Sequence, residues 1–239
     1  MPRDGLRFEH AHYLMVQDRL PRTPRKPPMP RQIPTAPHPA TLRDAEALRA
    51  GRMHRREFLT RATALGLSAS AAYALGGLTP PAKAQTTPAQ GGTLRIQQNV
   101  KPLSDPRSYD WSELGNQTRG FLEYLVEYQS DGTFTGILLD RWQVNEDATR
   151  YLLHLRADVT WNNGDPFTAQ DVARNIARWC DTTAERNSMA GRFAGLIDPD
   201  TGQARAGTIT VLDDLTLVLS LSQPDISVIA NMADYPAAI

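Results

Sequence analysis

Between residues 141 and 221 the sequence spells two β-hairpins around one capped helix, and this order constrains the fold more than any other feature. Arg141-Trp142-Gln143-Val144 reads as a short strand, Asn145-Glu146-Asp147 as a turn, and residues 150–156 as the returning strand. Asn162-Asn163-Gly164-Asp165-Pro166 is a dense turn cluster, joining a glycine free to take positive φ to a proline of fixed φ. Thr168 then stands where a helix N-cap belongs, with Asp171 three residues on in the place of a capping-box acid. Val172, Ile176 and Trp179 share one face of that helix, and Cys180 lies beside them. Residues 207–211 and 215–221 flank Asp213-Asp214 as a second hairpin.

Weaker signals surround this core. Residues 93–98 alternate in the manner of a strand, and 102–110 are turn-rich. Leu114, Phe121, Leu122 and Leu125 recur at helical spacing, and Asp131-Gly132 marks a turn after Leu125-Val126-Glu127-Tyr128. Pro224 suits the first turn of a final helix.

The formal net charge is zero, but the average hides two halves. Residues 1–84 carry 14 Lys and Arg against 6 Asp and Glu, and residues 85–239 carry 12 against 20. A basic front on an acidic body suits an export signal, and an acidic body argues against nucleic acid as its partner. Residues 1–52 hold 9 of the 18 prolines, mixed with Arg, and read as a disordered extension or as sequence upstream of a true start at Met53.

Residues 53–84 read as a signal peptide. His54-Arg55-Arg56-Glu57-Phe58-Leu59 resembles the twin-arginine export signal, an Ala/Gly-rich apolar stretch follows over 62–78, and Ala82-Lys83-Ala84 predicts cleavage after Ala84. The apolar stretch is interrupted by Gly and short for a membrane span, which needs about 20 apolar residues, and the order of basic region, apolar region and cleavage triplet favours a signal peptide over an ordinary amphipathic helix.

One cysteine, Cys180, excludes an internal disulfide framework and any Cys-cluster metal site, and it reads as a small buried apolar residue. After residue 84 the sole histidine is His154, and no metal-ligand cluster or cofactor motif stands out. No Gly-rich nucleotide loop, GxSxG, HExxH or CxxC occurs, so an exported enzyme is the weaker reading.

Five blocks in order resemble the extracellular solute-binding protein family 5, which includes peptide- and nickel-binding proteins of ABC importers. They are Gly91-Gly92-Thr93-Leu94-Arg95; Ser104-Asp105-Pro106; residues 122–128 with Asp131-Gly132; the run from Trp142 through Trp161-Asn162-Asn163-Gly164-Asp165-Pro166-Phe167-Thr168-Ala169-Gln170-Asp171-Val172; and the hairpin at Asp213-Asp214. Ser104 stands where the family usually has Leu, and Asn163 where it has Asp; both are acceptable in turns. In the fourth block Trp161 is expected to anchor the loop on the core. Asp165 and Asp171 suggest an acid–base pair, but turn and cap hydrogen bonding explains both more simply.

The resemblance implies a periplasmic binding protein type II-like fold of two α/β lobes that close on a ligand, here represented by part of the first lobe and its extra subdomain. It places 85–122 and 206–239 in the first lobe and 123–205 in the extra subdomain, and implies a truncated chain whose final hairpin and helix lack sheet partners and expose apolar surface. It implies a peptide or related small solute as ligand, an inner-membrane ABC permease and the Tat translocase as partners, a periplasmic location, no cofactor and no catalysis, with a non-functional truncated fragment of such a protein as the alternative. The positions matching the family's ligand contacts are Tyr109, Asp110, Trp111 and Ser112, and Asn187, Ser188 and Met189. Trp111 and Tyr109 offer flat apolar area, and Asp110 suits a ligand ammonium.

Overall fold

A computed structural model describes residues 36–81, 91, 93 and 95–239, and residues 36–239 form one compact unit. The expected cleavage triplet at 82–84 and residues 1–35 lie outside the described residues.

Both predicted hairpins form, and they share one sheet. β1 (Val126–Tyr128) and β2 (Phe134–Gly136) make a small antiparallel hairpin around the Asp131-Gly132 turn. β3 (Leu139–Val144), β4 (Arg150–Leu155), β5 (Ile209–Asp213) and β6 (Thr216–Ser220) make a four-stranded antiparallel sheet of order β3-β4-β6-β5. Alternation fixes the register of its centre: Leu153 faces Trp142 on one side and Leu217 on the other, while Tyr151 faces Leu219. A one-residue slip would turn all of these away from the core. The β4–β6 ladder joins residues on both sides of the expected 205/206 division.

Helix α5 (Ala169–Trp179) lies against β5 and β6. The Asp171 carboxylate accepts from the Thr168 backbone N–H and hydroxyl, both at 2.9 Å, which is the acidic half of the predicted capping box. Val172, Ile176 and Trp179 are fully buried and join Tyr151, Leu153, Leu217 and Leu219 in the main core. Cys180 is buried there as well, and burial pushes its thiol up to about 12. The loop before α5 is anchored differently from expectation: Phe167 is buried, whereas Trp161 remains 40% exposed and packs edge-on against Phe167. An indole on a turn with core on one side only keeps its outer face in water.

Several expectations fail for the same reason, that a local pattern needs a tertiary partner. Residues 93 and 95–98 are not a strand, and Ile96 and Val100 are exposed, because nothing among the described residues pairs with them. The helix from Leu114 is shorter than its spacing suggests. Helix α4 (Ser112–Thr118) ends before Phe121, which is exposed, and Leu125 sits at a bend just before β1. Pro224 lies on an exposed loop, and the last short helix α6 (Val228–Asn231) starts later. The final segment is not left bare: β6 pairs with β4, and Val228, Ile229, Met232 and Ala237 are buried.

Disorder through residue 52 is likewise corrected for residues 36–52. Pro39 opens helix α1 (Pro39–Arg49), beyond which the prolines cease and Ala, Leu, Arg and Glu favour helix. The apolar stretch at 62–78 is broken in two. Helix α2 (Arg55–Ala64) ends before Gly66, which takes φ +91°, and helix α3 (Ala69–Gly76) follows an N-cap at Ser68. These helices bury Ala45, Phe58, Leu59, Ala62, Ala72 and Tyr73 in a small core of their own. Phe58 and Leu59 are fully buried, each contributing about 1.5–3 kcal/mol.

Candidate ligand-binding surface

The two expected contact segments, 109–112 and 187–189, meet. Asp105 starts the arrangement by accepting the Arg107 backbone N–H at 3.1 Å, as a turn-initiating Asp does. Arg107 folds back on the same carboxylate, with Nη2 at 2.9 Å, and donates Nη1 to the Arg178 carbonyl at the end of α5 at 2.8 Å. From α5, Arg178 donates to Asp105 at 2.6 Å. Burial works against the charged form of Asp105, but hydrogen bonds and charge from Arg107, then charge from Arg178, hold its carboxyl below the usual range. The Ser188 backbone N–H completes the junction by donating to the Arg107 carbonyl at 2.8 Å.

Within this junction the seven candidates divide by role. Tyr109 and Met189 are buried, 1% and 0% exposed, and belong to the packing beneath the surface. Asn187 is half-buried and committed: its amide donates to the Trp179 and Asp181 carbonyls at 3.0 and 2.7 Å, and its oxygen accepts from Met189 N–H at 3.0 Å. It closes the chain beyond α5, where carbonyls lack helical partners. Asp110, Ser112 and Ser188 are exposed, and Trp111 is half-buried. The Ser188 hydroxyl donates to the Arg107 carbonyl at 3.0 Å and that of Ser112 to Glu113 at 3.1 Å.

The pattern of candidates misses two cations that dominate this surface. Lys101 places its ammonium 4.6 Å from the centre of the Trp111 ring and 3.5 Å from Asp110. Arg186 reaches Asp110 at 2.7 Å from a backbone with φ of 59°, unusual for a residue with a side chain. The Lys101 charge first, and the Arg186 charge after it, hold the Asp110 carboxyl below the usual carboxylate range. A carboxylate beside an aromatic face is suited to an ammonium group, and Lys101 fills that role within the chain. Nothing in residues 99–103 marks Lys101 for it, and a positive φ at an arginine leaves no trace in sequence.

Asp165 and Asp171 do not form a reacting pair. Asp165 accepts from the Asn163 amide at 2.7 Å, while Asp171 serves the cap. Among the described residues no cluster of three or more His, Cys, Asp or Glu could hold a metal, and no helix is long and apolar enough to cross a membrane. A separate cavity of about 550 Å³ opens between α1–α2 and the loops at 146–148 and 224–226, away from this surface. Two charges on its wall, Arg61 and Asp44, pair with one another at 3.6 Å.

The family model for bacterial extracellular solute-binding proteins, family 5, middle region, matches residues 133–239. A probable peptide ABC transporter periplasmic-binding protein of Sinorhizobium fredii is 26% identical over 159 residues, 66% of this chain and 27% of that protein. The periplasmic oligopeptide-binding protein of Haemophilus influenzae is 30% identical over 54% of this chain and 25% of its own length, and the nickel-binding periplasmic protein of Escherichia coli 28% over 58% and 22%. The chain thus spans about a quarter of the length of these relatives. The solved structure titled "Clavulanic acid biosynthesis oligopeptide binding protein 2" superposes with a TM-score of 0.50 at 19% identity, over 56% of this chain and 27% of that one. The fold is therefore of the periplasmic binding protein type II class, present here in part. The family match and these relatives make the chain similar to solute-binding family 5 over its second half.

Proposed function

We infer that this chain is the substrate-binding component of an ABC importer, capturing a peptide or related small solute in the periplasm for an inner-membrane permease. The match of residues 133–239 to the middle region of the family carries the reading. The convergence of residues 105–112 with 186–189 supports it, because it gathers a carboxylate, an indole face and hydroxyls on one surface at the end of α5. Asp110, Trp111, Ser112 and Ser188 are assigned to ligand contact, with Tyr109, Asn187 and Met189 supporting them from below. Export by the Tat translocase through Arg55-Arg56, with cleavage after Ala84, fits the basic front half. Residues 85–122 and 206–239 are assigned to the first lobe and 123–205 to its extra subdomain, with the β4–β6 ladder as the joint between them.

Isothermal calorimetry of the full chain against a di- to pentapeptide library tests this reading. Saturable binding that weakens about tenfold in Trp111→Ala is expected, a loss equal to about 1.4 kcal/mol. Chemical turnover of a bound peptide would instead establish an enzyme.

A further inference from the structure

The N-terminal helices are seated on the body by matched polar contacts, not only by packing. β2 is paired on one side, by β1, so its outer edge carries unpaired backbone groups. Helix α2 supplies their partners. The Thr60 hydroxyl donates to the Gly132 carbonyl at 2.7 Å, and the Phe134 N–H donates to Thr63 Oγ at 3.0 Å. Further along, the Trp142 indole N–H donates to the Ala64 carbonyl at 3.1 Å, a carbonyl freed because α2 ends there. His38 donates to the Asn145 carbonyl at 3.0 Å, and the Tyr73 hydroxyl donates to Asp131 at 2.9 Å.

The shapes are matched as closely as the hydrogen bonds. At Gly66 an added Cβ would lie 2.8 Å from the Trp142 carbonyl oxygen, and at Gly132 2.7 Å from Arg56 Cγ. Both glycines take positive φ, at +91° and +93°, so each side contributes one backbone turn that lets the other approach. The docking also occupies one of the two arginines, while the other stays within the helical unit. Arg56 donates to the Tyr128 hydroxyl at 3.2 Å with its guanidinium over that ring, and Arg55 donates to the Thr79 carbonyl at 3.0 Å.

We propose that the outer edge of the β1–β2 hairpin, together with Trp142, is a docking surface whose occupant is this chain's own N-terminal helical unit, residues 36–81, and that the two remain associated after the chain is cut between residues 81 and 91. The unit brings a core of its own to the surface, so it binds as a preorganised module and not as a segment that must fold on contact. A protein that reads Arg55-Arg56 competes with Tyr128 for Arg56. The proposal does not depend on which solute the body binds.

The test places a sequence-specific protease site within residues 84–90 of the full chain and follows the cut product by size-exclusion chromatography and exchange against labelled N-terminal piece. The pieces are expected to co-elute at micromolar concentration, with exchange at least tenfold faster in Thr63→Val and in Trp142→Phe. Thr63→Val leaves the body unaltered, so its effect is readable even if Trp142→Phe disturbs the sheet. Separation of the wild-type pieces, or exchange unchanged in Thr63→Val, overturns the proposal. Peptide binding by the body is measured on the same sample, so the two readings fail separately.

Discussion

Asp105 and Arg178, 73 positions apart, meet at 2.6 Å and fasten the 105–112 loop to the end of α5. The bond matters because Asp105 also holds Arg107, whose carbonyl receives Ser188. One carboxylate therefore sets the spacing of both halves of the candidate ligand surface.

Replacing that carboxylate should loosen the surface before it harms the fold. The pair is partly exposed, with side chains 35% and 49% accessible, so the expected stability loss in Asp105→Ala is about 1 kcal/mol. Amide hydrogen exchange across 105–110 and 186–189 should rise together, whereas exchange in β4 and β6 should not change. Independent behaviour of the two segments would show that Asp105 does not couple them.

Asp110 should affect ligand and not stability. It is exposed and its two cationic partners stand in water, so Asp110→Asn is expected to leave the melting temperature within a degree or two. Affinity for a ligand carrying a free amino group should fall about tenfold, and affinity for its N-acetylated form should not. Calorimetry on the matched pair of peptides measures the difference directly.

Trp179 is the side chain whose loss the fold tolerates least. It is fully buried on α5 and packs on Phe193 with ring centres 5.2 Å apart. Trp179→Ala should cost about 3–5 kcal/mol, by lost transfer energy and by the cavity left behind. Against a typical total of about 5–15 kcal/mol, urea titration should show a large shift of midpoint or no folded baseline.

The surroundings of His154 set the sign of a pH dependence. It sits on β4, facing Thr216 on β6, with Arg141 and Asp140 on β3 and Asp213 on β5 nearby. Burial first, then the Arg141 charge, lower its pKa from 6.5, and the two aspartates only partly offset this. A lowered histidine favours the folded state most where it is neutral. Its contribution is fully present above about 6.5 and is lost as pH falls through the lower folded value. The melting temperature should therefore drop on acidification from about pH 7 to about pH 5, and the slope over that window should flatten in His154→Gln.

The sequence predicts what is local and misses what is distant. Strands β3 to β6 and the cap at Thr168 follow from alternation, turn residues and a single i to i+3 pair, all within a few residues. The β4–β6 ladder, which makes the hairpins one sheet, joins Tyr151 to Leu219 and has no local sign. Residues 93 and 95–98 show the converse: the alternation is present in sequence, but without a neighbouring edge among the described residues they form no strand. At the candidate surface, sequence resemblance selects both segments but not the sorting within them. Burial of Tyr109 and Met189, the amide bonds of Asn187 and the entry of Lys101 all depend on how the loops cross. The N-terminal helices were hidden for a related reason: an Ala-rich run reads as one apolar stretch until Gly66 turns it against Trp142.

Cys180 carries a consequence beyond packing. The chain has one thiol, it is fully buried, and its raised pKa keeps it in the unreactive protonated form. Any reaction with a thiol reagent must wait for the end of α5 to open. The native protein thus holds an internal clock: its labelling rate times excursions of the very helix end on which Arg178 and Asn187 hang the candidate ligand surface, and a ligand that steadied that end would slow the clock.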